Sequence, residues 1–351
     1  MTETTKTGRV RADALRAFTA RLFEAAGMKD RNAATVADVL VWANLRGIDS
    51  HGVLRVPSYL EYTQNGIMDA KAEPTIVRSL PAAALMEAGR AAGPIAMSRA
   101  MDHAVALAKT AGIGMVTVRR TTHTGPIGYY ALMAAKADMI GMVFSTSTPN
   151  MAYFGARKAG VSNAPLAIAV PTVKHPPLIL DMASSIAAAG KIKQAQDAGQ
   201  PIPADWALSK DGKPTTDPAT ADLLLPLGGP KGSGLALMLE CITGILSGAP
   251  ALERMVSGKE PRKHRQNAMV IAIDIAAFAD PATFRAEADA LADAVKALPR
   301  LDESAEILMP GERGARIEQE RKRDGIPLPR GTWKRLGESA AKFGVAMPTP
   351  L

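Results

Sequence analysis

The feature that most constrains the fold is an alternation of apolar runs and helical patterns in the middle of the chain. A β-branched run at 114–118 precedes helical spacing at 125–137, and further apolar runs follow at 139–145, 166–170 and 178–180. This alternation is typical of proteins in which helices cover the faces of a sheet. The sequence therefore predicts an α/β architecture.

Helical patterns dominate both ends of the chain, and we expect helices near the N-terminus and after residue 281. Between 199 and 225, repeated prolines and glycines predict a long ordered loop. The expected domains are a helical one of 1–72 plus 300–351, a cofactor-binding α/β one of 73–122 plus 226–299, and a substrate and cofactor α/β one of 123–225.

The composition indicates the cellular compartment and excludes several classes of partner. Cys241 is the one cysteine, so no intrachain disulfide can form, which fits a reducing environment. The N-terminus lacks the apolar stretch of a signal peptide, and no apolar run reaches the roughly 18 residues of a membrane span. The net charge is +8, but the basic residues are scattered and aromatics make up 4%. We expect a cytoplasmic protein with no membrane, nucleic-acid or metal partner.

The glycine patterns of the common nucleotide-binding loops are absent. A Rossmann fingerprint needs Gly-x-Gly-x-x-Gly, and the nearest match, Gly232-Ser233-Gly234, has Leu237 in the last position. A Walker A loop needs Lys after Gly, whereas Lys231 precedes Gly232. Any bound nucleotide must therefore be held without those loops.

Chemically active side chains are concentrated around His51. Asp49, Ser50, His51 and Arg55 lie within seven residues. Arginine holds a carboxylate through two parallel hydrogen bonds, and histidine exchanges protons near neutral pH. The segment thus fits a site for a carboxylate-bearing substrate. It also fits a helix-capping loop with Asp49 or Ser50 as the N-cap.

A second candidate, His123, lies between a predicted strand and a predicted helix. Free N–H groups at a helix N-terminus favour anions and keep an imidazole neutral, as a base or hydrogen-bond partner must be. The other interpretation is a capping turn in which Thr122 or Thr124 is the cap.

Taken together, these segments resemble the malate/L-lactate dehydrogenase family of NAD(P)-dependent oxidoreductases, over about residues 10–336. The order and spacing of the shared motifs are specific, although no single motif is decisive. These motifs are Gly47-Ile48-Asp49-Ser50-His51-Gly52, His123-Thr124-Gly125, Gly128-Tyr129-Tyr130, Leu180-Asp181-Met182-Ala183-Ser184-Ser185, Gly190-Lys191-Ile192, Gly228-Gly229-Pro230-Lys231-Gly232-Ser233-Gly234 and Pro310-Gly311-Glu312.

The resemblance implies a non-Rossmann, sulfolactate-dehydrogenase-like α/β fold with mixed sheets and with terminal helices packed together. It implies a homodimer or higher homo-oligomer that binds NADH or NADPH and a small carboxylate substrate. The implied reaction is hydride transfer between the nicotinamide and C2 of a small 2-oxo or 2-hydroxy acid. Reduction of cyclic or N-alkyl imino acids is the alternative, and a non-catalytic nucleotide-binding protein is a third hypothesis.

Motif matching also implies roles for individual residues. His51 is implied as the proton donor or acceptor with Ser50 as its relay, and His123 as a proton acceptor or a cofactor contact. The implied substrate contacts are Arg55, Asn163 and Lys191. The implied cofactor contacts are Ser147, Asp181, Met182, Ala183, Lys231, Gly232, Ser233, Gly311 and Glu312.

The chain departs from the family pattern in three places. Residues 87–93 contain fewer glycines than the family usually has there, and Ser233 replaces a usual tyrosine. Lys191 stands where an acidic residue is expected in a cyclic-imine reductase, which favours reduction of 2-oxo acids. The sequence does not choose between NAD and NADP.

Overall fold

The computed structural model describes residues 8–197, 199–252 and 266–351. The α-helices of the described residues are α1 (Ala12–Ala25), α2 (Asp30–Leu45), α3 (Val56–Gln64), α4 (Gly93–Ala111), α5 (Gly128–Ala135), α6 (Ala189–Asp197), α7 (Pro230–Glu240), α8 (Pro281–Lys296), α9 (Glu312–Asp324) and α10 (Arg330–Phe343). The strands are β1 (Arg9–Val10), β2 (Thr75–Ser79), β3 (Ala83–Glu87), β4 (Ile113–Thr121), β5 (Met139–Thr146), β6 (Met151–Ala152), β7 (Ala159–Val161), β8 (Leu166–Val170), β9 (Leu178–Met182), β10 (Ala207–Ser209), β11 (Ala221–Leu224), β12 (Gln266–Asp274) and β13 (Ile326–Pro327).

A seven-stranded mixed sheet with the order β2-β3-β4-β12-β5-β8-β9 holds the centre of the structure. Strands β3 and β4 are parallel, and the other neighbours are antiparallel. Strand β12 lies between β4 and β5, so the late part of the chain returns to complete the middle of the sheet. The sheet thereby joins strands from both predicted α/β segments. The division into three domains stays a prediction.

Helices α4 and α5 cover one face of this sheet with small side chains. Val116, Val143 and Val270 on the sheet are fully buried against Ala104 of α4 and Ala131 of α5. β-Branched residues favour the pleated strand, and alanines on the helices allow close packing against it. The predicted alternation therefore produces a sheet covered by helices.

The two ends of the chain pack together. Strand β1 pairs antiparallel with β13, and α1 contacts both α2 and α10. Their shared core contains Leu15, Phe18, Tyr59 and Leu336, each almost completely buried. The predicted packing of the terminal helices is confirmed.

The structure corrects the predicted loop over 199–225. Strands β10 and β11 lie in this stretch and pair antiparallel, and β11 extends to β6 and β7 in a four-stranded sheet. Pro214 and Pro218 lie between the two strands, where a missing N–H removes little from the ladder. The proline-rich composition marks the turns of a small sheet.

The apolar segment after this sheet also begins earlier than the sequence predicts. We expect a helix over 235–246, whereas α7 begins at Pro230 and continues after Glu240 as a π-helical turn, Cys241–Ile245. Proline is tolerated in the first turn of a helix, so the Gly-Pro-Lys-Gly segment does not delay it. Among the described residues, none of the helices combines the length and the apolar character needed to cross a membrane.

Gly141 is expected to be intolerant of any side chain. A Cβ at this position in β5 would lie 2.2 Å from the carbonyl oxygen of Ala131 in α5. This oxygen belongs to the backbone, so it cannot rotate away as the end of a flexible side chain could. Gly141→Ala should therefore lower the free energy of unfolding by about 1–3 kcal/mol, measured by urea denaturation. Gly337→Ala is the matched control, because nothing lies within 4 Å of its added Cβ and alanine favours the α10 helix. Equal stability of the Gly141→Ala variant and the wild type would contradict this packing.

Candidate active site

The structure brings the three predicted catalytic residues together from two distant segments. His51 ends a 3₁₀ turn, Asp49–His51, that follows α2, and Ser50 Oγ lies 3.0 Å from His51 Nδ1. The His51 and His123 rings are nearly parallel, with centroids 5.5 Å apart and planes at 19°. Two imidazoles and a hydroxyl therefore form one cluster, called here the histidine cluster: Ser50, His51 and His123.

Hydrogen bonds from two other helices hold the turn that carries His51. Asn44 donates to Asp49 Oδ1 at 2.6 Å and accepts from the Val53 N–H at 2.8 Å. Arg321 of α9 donates to both carboxylate oxygens of Asp49, at 2.7 and 3.0 Å. Gly52 packs against the Asn44 side chain, because a Cβ on Gly52 would lie 2.2 Å from the Asn44 amide oxygen. Neither Asp49 nor Ser50 caps a helix with its side chain, so the alternative of a capping loop fails.

Tyr59 is a member of the site that the sequence reasoning missed. Its Oη lies 2.7 Å from His123 Nδ1 and donates to the His123 carbonyl at 3.2 Å. The side chain is almost completely buried in the core of the terminal helices. Tyr59 follows Arg55, the N-cap residue of α3, by four residues, and this helical spacing was the available signal.

Arg55 links the histidine cluster to an open cavity. Its Nε donates to the Ser50 carbonyl at 2.7 Å, and its terminal nitrogens make no hydrogen bond or ion pair within the described ranges. Ser50 and Arg55 both line a cavity of about 600 Å³. A guanidinium whose two terminal nitrogens are unused at a cavity wall is suited to bind a carboxylate.

Burial and charge keep the imidazole of His51 neutral. Burial lowers the pKa of His51 to about 4, and the nearby positive charge of Arg55 contributes to the same shift. Burial raises the pKa of the Tyr59 phenol, which Arg55 partly offsets. Near neutral pH, His51 of the histidine cluster is therefore a neutral imidazole, and the neighbouring Tyr59 is a protonated phenol.

Asp181 is placed at the end of β9, against the N-terminus of α5. Its Oδ2 accepts from the Gly128 N–H at 2.8 Å, so this carboxylate, and neither Thr122 nor Thr124, satisfies the helix end. Surrounding protein atoms raise the pKa of Asp181 to about 6, although the Gly128 N–H and Arg46 act in the opposite direction. The residue remains accessible to solvent, so a ligand can reach it.

The segment containing Asp181, Met182 and Ala183 lies beside the N-terminus of α7. The Leu227 N–H donates to the Ser184 carbonyl at 2.8 Å, and a Cβ on Gly232 would lie 2.5 Å from the same oxygen. Lys231 extends into solvent at this helix end, whereas the Ser233 hydroxyl is buried and donates to the Gly229 carbonyl. The two predicted cofactor segments are thus neighbours.

Asn163 and Ser147 lie at the edges of this region. The Asn163 N–H donates to Asn150 Oδ1 at 2.8 Å, and the Asn163 carbonyl accepts from the Ser184 N–H at 2.9 Å. Ser147 follows β5, and its hydroxyl donates to the Thr148 carbonyl at 3.3 Å. Asn163 is therefore held beside the segment that carries Asp181.

Helix α6 brings its first turn to the histidine cluster. A Cβ on Gly190 would lie 2.8 Å from the Ser50 Cβ, so only glycine allows this approach. The next residue, Lys191, is exposed and places its Nζ 5.9 Å from the centroid of the Trp206 ring. Its predicted contact with substrate stays a prediction.

Gly311 and Glu312 are tied into the fold in different ways. The Gly311 carbonyl accepts from Arg46 at 2.8 Å, beside β9. The Glu312 carboxylate accepts from Lys296 at 2.7 Å and from Arg316 at 2.5 Å. These hydrogen bonds lower the pKa of Glu312 to about 2. Its carboxylate is thus occupied within the chain, and its cofactor role stays a prediction.

Within residues 8–197, 199–252 and 266–351, no three His, Cys, Asp or Glu side chains are grouped as metal ligands would be.

The pKa of His51 predicts a pH dependence of stability. Because the folded pKa of about 4 is below the usual 6.5, the unfolded state binds a proton at a pH where the folded state does not. Stability is therefore complete above about pH 6.5 and falls as the pH decreases toward 4. In the His51→Gln variant, the free energy of unfolding should fall less between pH 7 and pH 4.5 than in the wild type. Urea denaturation at pH 7, 5.5 and 4.5 measures this difference. Parallel curves for variant and wild type would contradict the shift.

Comparisons with known proteins find similarity over nearly the whole chain. The family model for malate/L-lactate dehydrogenase matches residues 10–337. Malate dehydrogenase from Pyrococcus horikoshii is 34% identical over 96% of each chain, and L-sulfolactate dehydrogenase from Methanocaldococcus jannaschii is 36% identical over 91% of this chain and 92% of its own. The crystal structure of malate dehydrogenase from Entamoeba histolytica superposes with a TM-score of 0.92 at 28% identity, covering 98% of this chain and 100% of the other. The predicted sulfolactate-dehydrogenase-like fold is confirmed, and the chain belongs to the malate/L-lactate dehydrogenase family.

Proposed function

We propose that this protein transfers hydride between a nicotinamide cofactor and C2 of a small 2-oxo or 2-hydroxy acid, with the histidine cluster handling the accompanying proton. Its family and its relatives make it an NAD(P)-dependent oxidoreductase that acts on hydroxy acids. The assignment of residues rests on one observation. A neutral imidazole at His51, a second imidazole and a guanidinium with unused donors meet at one place.

His51 is the proposed proton acceptor when the hydroxy acid is oxidised. A base must be neutral to accept the hydroxyl proton, and burial keeps His51 in that form. Ser50 contacts Nδ1, which leaves Nε2 for the substrate oxygen. In the reductive direction the same nitrogen returns the proton, with Ser50 as the relay. His123 is the alternative proton-transfer group, held by Tyr59 through Nδ1.

Arg55 is the proposed clamp for the substrate carboxylate. The Ser50 carbonyl fixes Nε, so the guanidinium plane is set before a ligand arrives. Two parallel N–H donors then remain for a planar carboxylate. Preset geometry of this kind holds C2 at a defined distance from the histidine cluster. Asn163 and Lys191 are proposed as further contacts of the substrate.

The chain's residues fit a nicotinamide dinucleotide beside Asp181. The N-terminus of α7 has no side-chain cap and carries Lys231, which together suit an anionic phosphate. In the segment that follows Asp181, the Ser184 hydroxyl is buried and has no hydrogen-bond partner among the described residues. When bound, the cofactor supplies or accepts the hydride. The proposed contacts are Ser147, Asp181, Met182, Ala183, Lys231, Gly232, Ser233, Gly311 and Glu312, with NADH or NADPH as the ligand.

We also propose that the protein works in the cytoplasm as a homodimer or larger homo-oligomer, without membrane or nucleic-acid partners. Met238 of α7, Ile245 at the end of the π-helical turn and Leu246 directly after it are each about 60% exposed. Clustered large apolar side chains at a surface are typical of interaction sites. A second copy of the chain is the proposed cover for them.

Steady-state kinetics with 2-oxo acids and cyclic imines, each with NADH and NADPH, test the function. His51→Ala should lower kcat by about 10²-fold, because general acid–base catalysis contributes that much or more. Arg55→Lys should mainly raise KM, because lysine lacks the planar fork. Failure to turn over any 2-oxo acid or imine, together with no fluorescence change on adding either cofactor, would refute the proposal.

Tyr59 is expected to act as a positioning residue for His123. Tyr59→Phe removes the phenol that contacts Nδ1, and loss of one hydrogen bond should lower kcat roughly tenfold and shift the pH profile. Tyr129→Phe is the control, because its phenol donates to Asp38 outside the histidine cluster. An unchanged pH profile for Tyr59→Phe would show that the phenol serves packing alone.

A further inference from the structure

Arg46 is a buried cation outside the histidine cluster. It is the C-cap residue of α2, and its side chain is 7% exposed. The guanidinium lies beside the Trp42 ring, with its central carbon 5.3 Å from the ring centroid. A buried guanidinium has lost much of its hydration, so its partners in the fold must compensate the charge. The groups that Arg46 contacts therefore decide its role.

The Arg46 guanidinium bridges two points of the C-terminal part of the chain. One terminal nitrogen donates to the Glu318 carboxylate at 3.0 Å, and the other donates to the Gly311 carbonyl at 2.8 Å. A Cβ on Gly314 would lie 3.0 Å from the second nitrogen, so the guanidinium lies directly on the first turn of α9. One side chain of α2 thus holds both α9 and the residue that precedes it.

Arg321 joins the same two helices in the opposite direction. Arg46 extends from α2 to α9, whereas Arg321 extends from α9 to Asp49 in the turn after α2. Two charged contacts in opposite directions fix the position of α9 along the end of α2. The turn that carries His51 is therefore joined to the start of α9.

The start of α9 is joined in turn to the strand that carries Asp181. The Ile179 N–H of β9 donates to the Pro310 carbonyl at 2.9 Å, and a Cβ on Gly311 would lie 3.1 Å from the Ile179 nitrogen. Asp181 belongs to the same strand. Direct contacts thus connect Arg46, through residues 310–311, to the strand that places Asp181.

The charge of Arg46 also acts on Asp181. Burial raises the pKa of Asp181 to about 6, and the Gly128 N–H of α5 and the positive charge of Arg46 oppose this rise. Tyr130 of α5 is the neighbouring titratable group, and burial raises the pKa of its phenol far above the ordinary value, so it is uncharged near neutral pH. Loss of the Arg46 charge would therefore favour the protonated form of Asp181.

We propose that Arg46 is a positioning residue that holds Asp181 and Gly311, on the proposed cofactor side of the site, in a fixed relation to the turn that carries His51. Its two hydrogen bonds set the separation of the two sides, and its charge favours the ionised form of Asp181. Hydride transfer requires such a fixed separation, because the reacting atoms must meet within a narrow range of distances. This inference rests on the proposed function and adds a residue that acts through Gly311 and Asp181.

Arg46→Gln tests the role in turnover, because glutamine keeps an N–H donor and removes the charge. With a 2-oxo acid that the wild type reduces, kcat should fall about tenfold or more, while KM for that acid stays within roughly twofold because Arg55 is unchanged. The dissociation constant for NADH or NADPH, measured by fluorescence titration, should rise.

A second measurement needs no cofactor. Carbon NMR of isotope-labelled aspartate follows the titration of Asp181 in the free enzyme, and Asp181→Asn identifies its signal. In Arg46→Gln the carboxyl should titrate at higher pH than in the wild type. Arg46→Lys retains the charge but lacks the planar fork, so it should restore the titration and only part of kcat.

Lys322→Ala is the matched control. Lys322 pairs with the same Glu318 carboxylate at 2.6 Å, but its side chain is 60% exposed. This variant should keep the wild-type kcat and the wild-type titration of Asp181. In Arg46→Gln, Lys322 still compensates Glu318, so we expect the variant to fold, and urea denaturation checks this.

Each failure has its own signature. An unchanged titration of Asp181 in folded Arg46→Gln would overturn the positioning role and assign Arg46 to stability alone, and an unchanged kcat would overturn it as well. Both results leave the proposed function intact. A wild-type enzyme that binds neither NADH nor NADPH and reduces no 2-oxo acid would instead refute the proposed function. The titration of Asp181 in the free enzyme would still test its connection to Arg46.

Discussion

The ion pair between Asp49 and Arg321 is the interaction on which the candidate site depends. Arg321 reaches from α9 to the turn after α2 and binds both carboxylate oxygens, with its side chain only 13% exposed. A bidentate pair of this kind fixes orientation as well as distance. Removing Asp49 would leave the largely buried charge of Arg321 without an acidic partner, which is strongly unfavourable. The position of His51, two residues later, is therefore set by the C-terminal part of the chain.

The packing of the two ends of the chain also positions the candidate site. Strands β1 and β13 and helices α1 and α10 bury one apolar core, and the turn with the histidine cluster lies at its edge. Tyr59 belongs to both the apolar core and the candidate site, because its ring packs in the core and its hydroxyl contacts His123. Stability and site geometry are consequently coupled, and a change in the core of the terminal helices will also move the imidazoles.

The sequence predicted the parts of the fold that depend on local pattern. The run at 114–118, the helical spacing at 125–137 and the run at 139–145 predicted β4, α5 and β5 within a few residues of their observed ends. The small sheet of β6, β7, β10 and β11 was missed, because strands of two to four residues carry too little pattern among prolines. The π-helical turn at Cys241–Ile245 was missed for a related reason, because its apolar residues also fit an ordinary helix.

Motifs in the sequence named the residues of the candidate site, but not the contacts that hold them. The motif around His51 named Ser50, His51 and Arg55, yet nothing in the local sequence indicated that Asn44 and Arg321 hold the turn. Those contacts join residues far apart in the chain, and one sequence contains no direct signal for such pairs. Glu312 shows the converse, since a motif residue uses its carboxylate within the fold.

In the proposed mechanism, Arg55 connects substrate binding to proton transfer through one charge. Its guanidinium lies close enough to His51 to lower the pKa of the imidazole, in addition to the larger effect of burial. A carboxylate bound at Arg55 would compensate that charge and weaken its effect, so the imidazole would become more basic once substrate is in place. His51 would then be least basic in the free enzyme and most basic when a hydroxyl proton is available to accept. With the roles proposed above, the residue that orients the substrate would thereby also adjust the base.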